Sequence, residues 1–184
     1  MGTRRTAAVR TRMSLIDAGL RLAERTGLNG LSINLLVEAA GVSKGTFFHH
    51  FGDRATYLLA LHREFHDRLL TEIQDATDGL APGPERLAVA ANTYLDGCLR
   101  NRGVRALLLE ARADPLIAEE IGARNAGTAR LVQTDFTAMN WPHPLESAQL
   151  WVGMTAEAAL LELKAGRRSP GVRAALQHFT NDRS

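Results

Sequence analysis

The sequence predicts an all-α protein, and three observations carry that prediction. Apolar residues recur three and four positions apart through most of the 184 residues, the period of helices with one inward face. Glycine, proline and asparagine signals interrupt this pattern, at places where helices can stop and start. No stretch alternates apolar and polar residues as a half-buried strand would, and no segment repeats.

The elements follow in order. Val9, Met13, Ile16, Leu20 and Ala23 form one stripe on a first helix, expected to end at Gly27, where glycine can take a left-handed cap. The Asn29-Gly30 pair signals a turn, and Ser32 is placed to cap a second helix through Ala40, with Ile33, Leu36, Val37 and Ala40 inward. Gly41 breaks that helix, and Ser43 caps a third over Lys44 to His50. Asp53 caps a longer fourth helix, through Leu58, Leu61, Phe65, Leu69 and Ile73 to about Thr77. The segment from Gly79 to Pro84 is the clearest break in the chain. Five further helices are expected near 85–101, 104–111, 115–139, 145–165 and 170–180, making about nine in all.

Composition bounds the class. With 45% hydrophobic, 23% charged and 5% aromatic residues, the chain resembles ordinary folded proteins and not disordered ones. It has no uncharged apolar run of about 18 residues, and its basic start is not followed by a signal-peptide core, so no membrane span or export is expected. Cys98, the only cysteine, excludes an intramolecular disulfide and a metal site of paired thiolates. The net charge of +2 is unevenly spread. Residues 1–60 hold eight Lys/Arg against four acids, and the remainder is net acidic, so the first third is the part suited to a polyanion.

The stretch Ser32 to Arg54 reads SINLLVEAAGVSKGTFFHHFGDR. Two short helices joined by a turn at Gly41, with Val42 filling their angle, make a helix-turn-helix whose second helix can lie in a major groove. Lys44, Thr46, His49 and His50 carry donors for phosphates and base edges, while Phe47 and Phe51, one turn apart, pack inward. Gly45 on the outer face permits close approach of backbone to DNA. Arg4, Arg5, Arg10 and Arg12 form a basic arm able to track phosphates or enter a minor groove.

The run AAGVSKGTFFHHFGDRATYL resembles the signature of the TetR/AcrR repressors. The resemblance covers residues 9–60, and beyond them only the helix pattern agrees. It implies an N-terminal three-helix DNA-binding domain over 1–52, a connecting helix over 53–78, and a ligand-binding and dimerisation domain over 79–184. It also implies a homodimer in the bacterial cytoplasm, released from a palindromic double-stranded DNA operator by a small organic ligand. By position, Asn34, Lys44, Gly45, Thr46 and His49 fall where the family approaches bases, and Ser32, Phe48, His50 and Arg54 where it holds phosphates. Two positions depart from the pattern. Phe48 stands where tyrosine is usual and lacks its hydroxyl, and Leu35, where a polar residue is usual, cannot complete a capping box.

The C-terminal half offers an apolar ligand cavity and a dimer seam as expectations. Tyr94, Cys98, Leu108, Phe136 and Trp151 are the candidate apolar wall. Glu110, Arg112 and Glu157 are candidates to orient the ligand; with Asp135, they would be costly to bury without a partner. Small residues Gly153, Ala156 and Ala159, with Val172, Leu176 and Phe179 on the last helix, suggest the seam, since a palindromic site matches a two-fold protein.

Enzyme signatures are absent: no GxSxG, phosphate-binding glycine loop, CxxC or dinucleotide fingerprint occurs. His62, Glu64 and His66 form HREFH, but Glu64 is not where HExxH requires it, so neither metal nor cofactor is expected. Two other readings stand beside the regulator: a helical interaction module that has lost DNA binding, favoured by Phe48 and Leu35, and a small-molecule-binding enzyme.

Overall fold

The computed structural model describes the backbone of residues 2–181 and the side chains within that range other than those of 2–4, 26–30 and 107. Among the described residues there are nine α-helices, one short 3-10 turn and no strand. In order they are α1 (Gly2–Gly30), α2 (Ile33–Ala40), α3 (Lys44–Phe51), α4 (Arg54–Thr77), α5 (Pro84–Arg100), α6 (Arg102–Glu110), the turn Ala111–Ala113, α7 (Pro115–Ala138), α8 (Pro144–Ala165) and α9 (Pro170–Asn181). The all-α expectation therefore holds element by element, with most ends within a residue or two.

Helix α1 is the exception at both ends. It begins at Gly2, well before the first apolar residue of its stripe, and Val9 is 58% exposed on a segment outside the core. It also continues past Gly27 to Gly30, so Gly27 is not its cap. A glycine inside a helix costs about 1 kcal/mol relative to alanine, which flanking turns can absorb. The turn expected at Asn29-Gly30 is likewise not formed there, since both residues are within the helix; the Arg4 side chain lies outside the described ones.

Contacts group the chain into two compact units, residues 1–67 with 102–118, and residues 68–101 with 119–184. The chain-order division at 52 and 78 is thus crossed by α6 and the turn after it, which pack with the N-terminal helices.

In the first unit, Leu15, Ile16, Leu31, Leu36, Phe47, Tyr57 and Leu61 are fully buried together with Val104, Leu108 and Ile117. Helix α6 lies so close to α1 that a Cβ at Gly103 would run into the backbone of Ala23 and Glu24. The Glu24 carboxylate accepts hydrogen bonds from the first N–H groups of α6, from Gly103 at 3.0 Å and Val104 at 3.1 Å. It acts as an N-cap supplied by another helix, at the positive end of the α6 dipole.

The second unit packs α5, α8 and α9 together, with Leu87, Leu95, Phe136, Trp151 and Leu176 inside. Its buried charges are paired. Asp135, 1% exposed, accepts from Arg86 Nε at 2.7 Å and Nη2 at 2.6 Å and from the Gly83 N–H at 2.8 Å. Glu162 accepts a two-pronged pair of bonds from Arg173, each 2.8 Å, while Arg173 also meets Asp96 at 2.7 Å and Asn92 Oδ1 at 3.1 Å. On α9, Leu176 is 7% exposed, while Val172 and Phe179 are half-buried, the Phe179 ring tilted toward Trp141 with centres 5.4 Å apart. The large apolar residues that this unit leaves outward are Leu131 on α7, 56% exposed, and Leu150 and Leu161 on α8, 65% and 43% exposed, with the Cβ direction of Gly153 open as well.

Candidate DNA-reading site

The site begins with two serine caps. The Ser32 hydroxyl accepts from the Leu35 N–H at 3.3 Å and opens α2; the Ser43 hydroxyl accepts from the Thr46 N–H at 3.1 Å and opens α3. Both residues have the extended backbone that an N-cap requires. Between the helices Gly41 adopts φ +66°, and its N–H bonds back to Glu38 and Val37. Space around it is open, so its requirement is conformational: a side chain would be strained by the left-handed backbone. Gly52, at φ +74°, ends α3, and Asp53 Oδ1 accepts the Thr56 N–H at 2.7 Å to open α4. That N–H and the Thr56 hydroxyl hold the Asp53 carboxyl below its ordinary value against slight desolvation, with help from the Ala55 N–H.

Aromatic packing sets the outward face of α3. Phe47 and Phe51 are buried, their rings 5.4 Å apart, and both rest on Tyr57, at 5.2 and 4.9 Å. Tyr57 in turn donates its hydroxyl to the Leu15 carbonyl at 2.9 Å, tying α4 to α1, and burial pushes its pKa well above the ordinary phenol value. With one side of α3 fixed in this way, Lys44, Gly45, Phe48 and His49 are exposed, and Thr46 and His50 are half-buried. Ser32, Asn34 and Arg54 are exposed on the flanking elements. All nine residues singled out for DNA thus belong to one unit, within or beside the helix-turn-helix. The Thr46 hydroxyl is 2.9 Å from Ser43 Oγ, so it shares in the cap of the helix it would read from. Phe48 is 48% exposed, its ring edge-on to Phe47 at 5.5 Å; Leu35 is 40% exposed, and Ser32 caps α2 with no carboxylate answering from that position.

Sequence pattern alone did not disclose the cation at the end of α3. The Arg12 guanidinium carbon sits 5.1 Å from the centre of the Phe51 ring, linking the arm to the helix-turn-helix. His50 lies below the ordinary histidine value because partial burial strips its solvent and because His49 and Arg12 oppose another positive charge there. A stripe of arginines was readable, but its meeting with Phe51 joins residues far apart in the chain.

The candidate ligand residues are distributed differently. Tyr94 is half-buried, while Cys98, Phe136 and Trp151 are buried in the second unit, and Leu108 belongs to the core of the first. Glu110, Arg112 and Glu157 are exposed, and the buried charged residues of the second unit are Asp135, Glu162 and Arg173. Solvent accounts for the difference, since an ionised side chain on an outer helix face keeps its hydration. A shallow cavity of about 410 Å³ opens between Pro84, Ala138, Met139, Asn140, Thr180 and Asn181, none of which belongs to the candidate set. Among the described residues no group of three or more His, Cys, Asp or Glu could hold a metal, and no helix is long and apolar enough to cross a membrane. The rings of His62 and His66 lie 4.5 Å apart.

A helix-turn-helix carried on a wholly helical chain defines a class, and comparison with known proteins narrows it. Residues 15–61 match the family described as bacterial regulatory proteins, tetR family. The chain is 32% identical over 83 residues to the HTH-type transcriptional repressor AcnR of Corynebacterium efficiens, a stretch covering 42% of this chain and 44% of that protein. It therefore aligns with less than half the length of that relative. Over nearly the whole chain it shares its fold with a transcriptional regulator from Rhodococcus sp. Rha1, at TM-score 0.77, 22% identity and coverage of 92% and 93%. The multidrug binding protein EbrR, in a crystal structure complexed with imidazole, superposes at TM-score 0.73 with 20% identity, covering 94% and 96%. Residues 15–61 thus carry the likeness to the tetR family, and the rest of the chain shares the fold of the solved regulators.

Proposed function

We propose that this protein is a sequence-specific DNA-binding transcriptional regulator, a repressor that occupies a two-fold operator as a homodimer and leaves it when a small organic ligand binds. The observation that carries this reading is α3: an eight-residue helix packed on one side by Phe47 and Phe51, with Lys44, Gly45, Thr46 and His49 on its accessible side. Direct base readout needs such a helix, narrow enough for a major groove and rigid on its support. In this reading Asn34 at the start of α2 also approaches bases, and Ser32, Phe48, His50 and Arg54 lie against the DNA backbone. The family match, residues 15–61, contains this helix, and the chain is similar to the repressor AcnR over 83 residues.

Homodimerisation is supported by the outward apolar face of α8, Leu150, Gly153 and Leu161, which a second copy would cover. Ligand response is supported by the fold shared with EbrR and by apolar side chains, Tyr94, Cys98, Phe136 and Trp151, within the second unit. A mainly apolar ligand suits that set, with Glu157 as the nearest charged residue in sequence to Trp151 among the candidates. Leu108, Glu110 and Arg112 belong to the first unit.

The test is selection of bound sites from random duplexes, followed by Lys44→Ala with Thr46→Ala. We expect two-fold symmetric sites and loss of specific binding in a folded double variant. A second reading, an interaction module without DNA binding, is favoured by one observation, the exposed apolar pair Phe48 and Leu35. Retention on DNA that weakens steeply with salt separates the two, since counterion release accompanies phosphate contact.

A further inference from the structure

A cationic face runs along α6. Arg102 and Arg105 lie three positions apart on that helix, and Arg112 stands seven further on, in the turn that continues it. They lie off the line of Val104, Leu108 and Ala111, which are buried. Glu110 is the single acid between Arg102 and Ala113, and it is exposed. Glu24, whose carboxylate approaches the start of the helix, is committed to the N–H groups of Gly103 and Val104. None of the three arginines enters an ion pair among the described residues. Arg105 is half-buried, and its Nε is wholly shielded from solvent with no hydrogen-bond partner among the described residues.

We propose that Arg105 is the anchor for the carboxylate of an organic effector, with Arg102 and Arg112 adding positive field around it. The proposal rests on the reading of this protein as a regulator released by a small ligand. It gives that ligand a charge: an apolar body ending in a carboxylate.

Contrast with the rest of the molecule carries the argument. In the second unit each buried charged residue has a counter-charge, Asp135 in Arg86 and Glu162 in Arg173. A shielded donor left unanswered is costly in a folded protein and points to a missing acceptor. The guanidinium suits a carboxylate, since its planar fork of N–H groups meets both oxygens at once. Leu109, half-buried and four positions after Arg105, puts apolar surface on the same side of α6 for the body of the ligand. DNA phosphate is the competing anion, and distance disfavours it. Twelve residues of α1 separate Glu24, where α6 is seated, from Arg12, which meets the reading helix at Phe51, about 18 Å along the axis. Turning the fork to a carboxylate gives Nε its acceptor in the bound arrangement only. That difference between arrangements is what an effector needs to shift a regulator off its operator.

The experiment uses the full chain, a duplex carrying a selected site, and two probes with the same alkyl tail, sodium octanoate and 1-octanol. Binding is followed by isothermal titration calorimetry and release of the duplex by fluorescence anisotropy. The proteins are wild type, Arg105→Met, Arg105→Lys and, as a control at an exposed arginine of α7, Arg130→Gln. Wild type should bind octanoate about tenfold or more tightly than octanol, the usual worth of hydrogen bonds to charged groups, and octanoate should release the duplex. Arg105→Met should bind the two probes alike. Arg105→Lys, which retains the charge without the fork, should keep part of the preference, and Arg130→Gln all of it. Octanoate should also raise the thermal midpoint of wild type more than that of Arg105→Met. A preference for octanoate that survives undiminished in both Arg105 variants overturns the anchor, as does equal binding of the two probes by wild type. Release of the duplex by either probe in those cases leaves the ligand-released reading standing. Weaker retention of DNA by Arg105→Met, with its octanoate preference intact, assigns the charge to a phosphate and likewise overturns the anchor. If neither probe binds wild type or releases the duplex, the anchor falls together with the reading of a mainly apolar ligand.

Discussion

Tyr57 shows how one residue positions the reading helix. Its ring carries Phe47 and Phe51 and its hydroxyl fastens α4 to the Leu15 carbonyl of α1, so the orientation of α3 depends on a single side chain from the next helix. Gly19 makes room for it: a Cβ there would overlap the Tyr57 hydroxyl and approach its ring carbon to 3.0 Å. Alanine for glycine in a helix ordinarily stabilises, by about 1 kcal/mol. Here Gly19→Ala is expected to destabilise, since overpacking a filled core costs roughly 1–3 kcal/mol. Tyr57→Phe should cost about 1 kcal/mol for the lost hydrogen bond. Removing the hydroxyl also relieves the overlap, so chemical denaturation of the double variant should show a smaller loss than the two single losses combined. Strict additivity would mean that Gly19 and Tyr57 do not compete for space. The glycine and the tyrosine were visible in the sequence; their contact was not, because it joins two helices.

Element ends were the most legible part of the chain wherever the signal is local. Ser32, Ser43 and Asp53 cap the helices that follow them, and Gly41 and Gly52 end those before. Signals fail where the partner is distant. Helix α6 has as its cap Glu24, 79 positions before Gly103, and nothing near Arg102 announces it. Helix α1 overran its expected end because packing of Leu31, not a local stop, sets where the chain turns. Glu24→Ala should therefore destabilise the first unit by about 1 kcal/mol, the usual cost of a lost cap. Hydrogen exchange should locate the loss at the first amides of α6; uniform acceleration over α1 and α6 alike would argue against a capping role. Asp53 gives an element-scale pH effect. Its carboxyl titrates below its ordinary value in the folded chain, so its contribution is present above that value and lost as pH falls through the lowered one. Asp53→Asn should keep a cap while removing that acid dependence, measured as the difference in thermal midpoint between neutral and acidic buffer.

Across the whole molecule the sequence disclosed composition, the number of helices among the described residues and the basic first third, but not which charges would be buried. Asp135, expected to need a partner, has Arg86; Glu162 and Arg173, not singled out at all, form the more buried pair, with Asp96 alongside. Burial alone would raise the Glu162 and Asp96 carboxyls. For Glu162, hydrogen bonds from Arg173 and the Ser169 N–H outweigh it, and for Asp96, those from Arg168 and Arg173 do, leaving both below their ordinary values. Their stabilisation is present above those ordinary values and fades as pH drops through the lowered ones. Arg173→Met leaves Glu162 inside without its counter-charge and should cost about 3–5 kcal/mol at neutral pH, less in acid, where Glu162 can protonate. Equal loss at neutral and acidic pH would show that Arg173 acts through packing alone. Such partners are set by how α5, α8 and α9 pack, a long-range outcome that helix periodicity does not contain. The central claim remains that the exposed side of α3 reads DNA. It is tested most directly by comparing wild type with the Lys44→Ala, Thr46→Ala double variant on a selected site and on a scrambled duplex of equal length. The account predicts that wild type prefers the selected site and that the folded double variant binds both duplexes alike. An undiminished preference in the double variant would contradict it.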